Sequence, residues 1–235
     1  IAVGVNAMAS NTTGTRNIAI GVDAYDASDT ENDNLAIGYD AMTTNTAGGT
    51  YNIALGNYAL DALTSGDYNV AIGYASLGAN TTGGENTAVG GYALLTNVTG
   101  EANVGIGYAS LRTNVASSNT AMGYESMRLN TSGANNTAIG RAALYTNTTG
   151  AENVSVGKNS LLANTTGSNN VAIGVEAMDA NTTGATNVGI GKSALGSNTT
   201  GTRNIALGPY ALDASDTEND NLAIGYDAMT TDTAG

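Results

Sequence analysis

Acidic side chains recur at alternating positions in two stretches of this 235-residue chain. They are those of Asp29, Glu31 and Asp33 in the first stretch and of Asp216, Glu218 and Asp220 in the second. Carboxylate oxygens are ligands that Ca²⁺ prefers, so either stretch could hold that cation. Both lack the glycine and the full ligand set of a defined calcium loop, and we favour a solvated acidic loop. We predict no metal site and leave calcium binding open.

Asn-x-Thr sequons recur in segments rich in turn residues and could accept N-linked glycans in a secreted protein. Examples begin at Asn80, Asn147, Asn164 and Asn181. Asparagine is also a typical turn residue, because its side chain can hydrogen-bond the local backbone. The sequence alone therefore leaves glycosylation of these side chains open.

Tyrosine is the only aromatic residue type in the chain, and several tyrosines occupy equivalent positions just after a glycine. They are Tyr39, Tyr74, Tyr108, Tyr124 and Tyr226. An exposed row of phenol rings can stack on sugars, whereas a covered row packs against the neighbouring segment. We favour packing and keep glycan contact as the alternative.

The composition argues against catalysis and against nucleic-acid binding. The chain has no His and no Cys, so the usual nucleophile–base pairs cannot be built. Its formal net charge of −13 would repel phosphate backbones. No stretch is long and apolar enough to insert into a membrane as a helix. We expect no catalytic residue, no cofactor and no metal, and we predict that the protein is not an enzyme.

A 17-residue repeat explains the recurring positions. A glycine closes an aliphatic tetrad fourteen times, at Gly4, Gly21, Gly38, Gly56, Gly73, Gly90, Gly107, Gly123, Gly140, Gly157, Gly174, Gly191, Gly208 and Gly225. The spacing is 17 residues, except for one interval of 18 after Gly38 and one of 16 after Gly107. An Asn precedes thirteen of these glycines by four residues, from Asn17 to Asn221, and Ala or Ser and then Leu or Met (once Tyr25) follow each glycine. Such periodicity predicts one repeat array over residues 1–235, with 14 rungs.

The composition of each repeat is more compatible with a strand and turns than with a helix, because Gly, Asn and Thr disfavour helix interiors. In residues 170–174, alternation sends Val171 and Ile173 to one apolar face and leaves Asn, Ala and Gly on a small-residue face. Residues 181–184 predict a turn in which Gly184 supplies positive φ. Stacked rungs, about 4.8 Å apart, would align the recurring Asn into a hydrogen-bonded column. We therefore predict an all-β, elongated, stacked β-solenoid.

The two odd intervals fall in turn segments, at residues 47–50 and 115–118, where they should leave the strand register intact. The small-residue face suggests close approach of another backbone, and from it we expect a parallel homotrimer. Residues 11–48 nearly repeat as residues 198–235, 187 positions later, which indicates duplication of an eleven-rung block. The chain starts and stops inside a repeat, so we expect it to be a segment of a longer fibre protein.

Units such as residues 136–150, NTAIGRAALYTNTTG, resemble the repeats of tail-fibre-type proteins of phages and bacteria. The resemblance covers the whole chain. The recurring N-V-A-I-G core is also similar to the head repeats of trimeric autotransporter adhesins. These resemblances imply a left-handed parallel β-roll within a trimeric, extracellular attachment fibre, on either a virion or a bacterial surface.

We therefore expect a structural fibre shaft of an attachment fibre or adhesin, which supplies length, rigidity and trimerisation. Its expected partners are copies of itself, in a homotrimer or an end-to-end filament, and cell-surface glycan is a further candidate. Nucleic acid and membrane insertion are not expected. The alternative function is a glycan- or surface-binding β-solenoid whose lateral face is itself the binding site.

Overall fold

A computed structural model describes residues 1–46, 48–214 and 216–230, and it divides the chain into two compact units, residues 1–118 and 119–235. The described residues contain no helix and one short strand per repeat. The first unit contains β1 (Ala2–Val3), β2 (Ile18–Ile20), β3 (Leu35–Ile37), β4 (Ile53–Leu55), β5 (Val70–Ile72), β6 (Thr87–Val89) and β7 (Val104–Ile106). The second unit contains β8 (Thr120–Met122), β9 (Thr137–Ile139), β10 (Val154–Val156), β11 (Val171–Ile173), β12 (Val188–Ile190), β13 (Ile205–Leu207) and β14 (Leu222–Ile224).

Within each unit, every strand pairs in parallel with the next strand along the chain, at equivalent repeat positions. Each unit is therefore a parallel β-solenoid in which one turn is one repeat, which confirms the predicted all-β stacked fold. The 18-residue interval leaves this register intact, since Leu35 pairs with Ile53 and Ala36 with Ala54. Ala47, within that interval, lies outside the described residues.

The two faces of each strand are placed opposite to our expectation. Ala172 at the centre of β11 is fully buried, whereas Val171 is half-buried and Ile173 is 39% exposed. The prediction that the small-residue face meets another subunit is therefore wrong, because that face lines the interior of its own solenoid. The interior is narrow: a Cβ added to Gly189, the strand-centre residue of β12, would lie 2.9 Å from Cγ of Met178.

The interior is filled by the Leu or Met that follows each strand. The largest fully buried side chains include Leu60, Leu77, Leu94, Leu111, Met127, Leu144, Leu161, Met178 and Leu195. The strand-centre Ala and the Ala or Ser before each Leu or Met surround them and are also buried. Most turns contribute one large aliphatic side chain, and the turn after β4 contributes two, Leu60 and Leu63. The core of each unit is therefore a stack of mainly aliphatic layers, and burying them supplies the main apolar gain on folding.

The backbone outside the strands takes left-handed conformations at non-glycine residues in every complete turn. In the turn that follows β11, Glu176 has φ 59°, Met178 has φ 53° and Thr186 has φ 60°. Such conformations cost free energy for L-residues. Neighbouring turns compensate, since the amides of Glu176, Met178 and Thr186 donate to Lys158 O, Ala194 O and Ser168 O at 2.9–3.0 Å.

The two glycines of the repeat are required for different reasons. Gly174, after β11, has φ 144°, and a Cβ there would lie 2.3 Å from Gly191 O, so both conformation and space require glycine. Gly184, in the Asn-Thr-Thr-Gly segment, is not among the positive-φ glycines, so our assignment of positive φ to it is wrong. Space alone requires it, because a Cβ would lie 2.3 Å from Asn181 Oδ1 and 2.5 Å from Gly201 O.

Candidate functional site: side-chain columns and the outer sheet face

A column of buried asparagines runs through each unit beside the strands, as the sequence predicted. The side-chain oxygen of Asn153 accepts hydrogen bonds from both the backbone amide and the side-chain amide of Asn170, at 3.0 and 3.2 Å. Asn170 Nδ2 also donates to Gly184 O at 2.8 Å. Because the same bonds recur from turn to turn, the column fastens each strand to the next and satisfies amides that are buried away from water.

A second column consists of the asparagines that open the Asn-Thr-Thr-Gly segments. Asn181 Nδ2 donates to Asn164 Oδ1 at 2.8 Å and to Gly184 O at 3.1 Å, so Gly184 O receives a bond from each column. We predicted only the local backbone bond of this asparagine. The second column was missed because a turn asparagine is usually exposed, whereas here the side chain points into the solenoid.

The sequon asparagines belong to this second column. Asn80, Asn147, Asn164 and Asn181 are completely buried, and their side-chain amides donate hydrogen bonds to glycine carbonyls of the same turn. A glycan on any of these nitrogens would have to pass through packed protein and would break the column. The folded structure therefore explains the four sequons as structural positions.

The acidic residues of the first stretch have separate roles. Glu31 is buried, and its carboxylate accepts hydrogen bonds from the backbone amides of Asp29, Thr30 and Gly48, each at 3.1 Å. Asp33 pairs instead with Arg16 of the preceding turn, with 2.7 Å between Nη2 and Oδ2, and the bond from Arg16 lowers the pKa of Asp33. The three carboxylates therefore do not converge on one point.

The second acidic stretch repeats this arrangement. Glu218 accepts bonds from the amides of Asp216 and Thr217, and Asp220 pairs with Arg203, whose bond lowers the pKa of Asp220. Among residues 1–46, 48–214 and 216–230, no group of three or more acidic side chains is placed to hold a metal ion. Glu31 and Glu218 organise the turn where other repeats have the glycine of Asn-Thr-Thr-Gly.

Tyr25 replaces the Leu or Met of its turn and is buried, with Ser28 standing where other turns have the second-column asparagine. Its hydroxyl oxygen accepts a hydrogen bond from Asn34 Nδ2 at 2.6 Å. Burial raises the pKa of Tyr25 to about 12, so the phenol is neutral at physiological pH. The large side chain therefore fills the space that Ser28 leaves and supplies a polar group to the asparagine columns.

A row of tyrosines crosses five successive turns of the first unit, which we name the tyrosine zigzag: Tyr39, Tyr58, Tyr74, Tyr92 and Tyr108. Successive ring centroids are 5.4, 5.7, 5.3 and 5.8 Å apart, and the rings meet edge to face at 74–89°. We predicted Tyr39, Tyr74 and Tyr108 as equivalent positions. The sequence signal for Tyr58 and Tyr92 is a tyrosine one position later in the intervening turns.

Two of the predicted tyrosines lie in the second unit. Tyr226 contacts Tyr210 edge to face with 6.0 Å between ring centroids, and Tyr124 is exposed. In the five turns between them, the position after the glycine is occupied by Arg141, Lys158, Val175, Lys192 and Pro209. These five turns therefore do not continue a row of tyrosines at that position.

The outer sheet face, formed by the first and third residues of each three-residue strand, is mainly aliphatic. In β11 these residues are Val171 and Ile173, and the other strands carry Val, Ile, Leu, Thr or Met at the same places. None of the described strands contains a charged residue. Among those that remain exposed are Ile20, Ile72, Met122, Ile139, Ile173, Ile190 and Ile205. Exposed apolar surface of this kind is typical of protein interaction sites.

No helix long and apolar enough to cross a membrane occurs in the part of the chain that the structure describes. Comparison with protein-family models, with curated proteins and with solved structures returned no match to this chain.

Proposed function

We propose that this chain is a structural fibre shaft whose copies associate side by side through their outer sheet faces. The observation that carries the proposal is the aliphatic surface on every strand, including Ile72 and Ile173, which remains in contact with water in a single copy. Covering this surface with the same face of further copies removes apolar area from water, which is the dominant favourable term in protein association.

A parallel, in-register arrangement suits this surface. The outward residues of each strand recur at every turn, so copies aligned at the same level bring like residues together along the stack. Stacked side chains of one type pack closely, as in other assemblies built on parallel strands. We extend the proposal to a homotrimer with left-handed coiling, following the similarity of the N-V-A-I-G core to trimeric adhesin heads.

The proposed site of action is the outside of a cell or a virion, where an attachment fibre needs length and rigidity. Two features support a rigid element: the asparagine columns, which fasten successive turns, and the aliphatic layer that each turn contributes. In this proposal the chain needs no catalytic group.

The test is the mass of the protein in solution by light scattering. A homotrimer gives three times the chain mass of 23.3 kDa. Ile72→Asp places a charge on the outer sheet face and should reduce the particle to a single chain while the circular dichroism of the fold is retained. Val98→Asp is the matched control, because Val98 is 40% exposed against 37% for Ile72 but lies in a turn.

A mass of 23.3 kDa for the unsubstituted chain would contradict self-association. A dimer would contradict the trimer and keep the outer sheet face as the interface only if Ile72→Asp dissociates it. Equal effects of Ile72→Asp and Val98→Asp would show that the outer sheet face is not the contact.

A further inference from the structure

The tyrosine zigzag lies beside the outer sheet face, where the chain leaves each strand, and it has two sets of rings. Tyr39, Tyr74 and Tyr108 come directly after the strand glycine and are about half exposed. Tyr58 and Tyr92 come one residue later in the alternate turns and are less exposed. The less exposed rings therefore lie between the more exposed rings along the zigzag.

Edge-to-face contacts fix the orientation of the exposed rings. Tyr74 contacts Tyr58 at 5.7 Å and Tyr92 at 5.3 Å, so it is held from both sides. Such contacts between aromatic rings are favourable beyond simple burial of area. A ring held this way loses little further freedom when a ligand stacks on it, which reduces the entropic cost of binding.

The exposed rings recur every second turn. With strands about 4.8 Å apart, two turns correspond to about 9.6 Å along the stacking direction. This distance is close to the length of two sugar units in an extended glycan chain. Tyr39, Tyr74 and Tyr108 could therefore contact every second sugar of one chain in the same way.

The groups around the zigzag favour an uncharged ligand. Asp40 lies next to Tyr39 and raises the pKa of its phenol, and Asp23 contributes to the same shift. Asn57 is exposed beside Tyr58, and its side-chain oxygen accepts a bond from the backbone amide of Tyr39 at 3.0 Å. The guanidinium of Arg112 lies 5.7 Å from the ring centre of Tyr92, a less exposed ring. Carboxylates and amides can hydrogen-bond sugar hydroxyls, whereas the carboxylates would repel an anionic chain.

The geometry points to a lateral binding site for an uncharged, extended polysaccharide along Tyr39, Tyr74 and Tyr108. The apolar C–H faces of the sugars stack on the phenol rings, and the hydroxyl groups face Asp40 and Asn57. This site is separate from the outer sheet face and does not depend on the proposed self-association, because its aromatic residues come from successive turns of one chain.

The experiment is titration of the whole chain with neutral hexasaccharides of glucose, mannose and galactose, followed by tyrosine fluorescence. The chain has no Trp, so its emission comes from tyrosine alone. We expect at least one hexasaccharide to bind, Tyr74→Ala to weaken its binding about tenfold, and Tyr74→Phe to stay within about twofold. The matched control is Tyr51→Ala, because Tyr51 is 50% exposed against 48% for Tyr74 but stacks on Tyr68 outside the zigzag.

Absence of binding to all three hexasaccharides at millimolar concentration would overturn the inference. Equal weakening by Tyr74→Ala and Tyr51→Ala would overturn it too, since binding would not be specific to the zigzag. Preference for an anionic polysaccharide would refute the uncharged ligand. Because the mass of the particle is a separate readout, failure of this inference is distinguishable from failure of the fibre proposal.

Discussion

The side-chain oxygen of Asn153 accepts two hydrogen bonds from Asn170, one turn later, from its backbone amide at 3.0 Å and from its side-chain amide at 3.2 Å. Replacing Asn153 with Ala leaves a buried backbone amide without its acceptor. We expect Asn153→Ala to lower the free energy of unfolding by about 2–4 kcal/mol in urea unfolding followed by circular dichroism. Thr166→Ala, at an exposed turn position, should change it by less than about 0.5 kcal/mol. Similar losses for both variants would refute a special role for the column.

Two glycines of the first unit allow the cost of a positive φ to be measured separately from the cost of steric overlap. Gly21 has φ 144°, and a Cβ there would lie 2.2 Å from Gly38 O, whereas Gly48 has φ 106° with nothing within 4 Å of the added carbon. We expect Gly48→Ala to cost about 1–3 kcal/mol from backbone strain alone and Gly21→Ala to cost clearly more. Urea unfolding of the two variants checks this order, and the reverse order would contradict the close approach of Gly21 to Gly38 in the next turn.

Tyr25 and Ser28 are expected to be coupled. Tyr25→Leu restores the common residue of the repeat but opens a cavity beside the small Ser28, and we expect a loss of about 2–4 kcal/mol. Adding Ser28→Asn restores the second asparagine column and should recover at least half of that loss, measured as a double-mutant cycle of unfolding free energies. Additive effects of the two substitutions would mean that the Tyr25 side chain does not compensate for Ser28.

Stability should depend on pH through Asp61. Partial burial raises the pKa of Asp61 above its ordinary value of 3.8. The protonated Asp61 side chain therefore contributes to folding stability below pH 3.8, and this contribution is lost as the pH rises through the raised pKa of the folded chain. Asp61→Asn removes this penalty, and we expect a higher thermal midpoint than the unsubstituted chain at pH 7 and no difference at pH 3. A difference of equal size at both pH values would exclude titration of Asp61 as its cause.

The sequence predicts the repeat, the strand positions and the first asparagine column, because each of these follows from periodicity and from elementary strand geometry. It does not predict which strand face is interior, since alternation defines two faces without orienting them. The narrowness of a 17-residue turn decides that question, because only a small residue, Ala, Gly or Ser, stands at the strand centre facing a buried side chain such as Met178.

The candidate sites could likewise be predicted from the sequence only in part. The equivalence of Tyr39, Tyr74 and Tyr108 could be seen in the sequence, but their contacts with the intervening tyrosines required the turn geometry. The alternating acids suggested a shared ligand, yet Glu31 turns inward to backbone amides while Asp33 pairs with Arg16. The left-handed backbone at Met178 has no sequence signal, since methionine rarely adopts it.

The extra residue between β3 and β4 is absorbed without changing the pairing of Leu35 with Ile53. Gly48, in that segment, has open space around its added carbon. A foreign peptide introduced at this place would leave the flanking strands aligned, so the solenoid offers a permissive position for display. Other turns of the unit carry a sterically required glycine at the corresponding corner, so the display position is specific to the segment that contains Gly48.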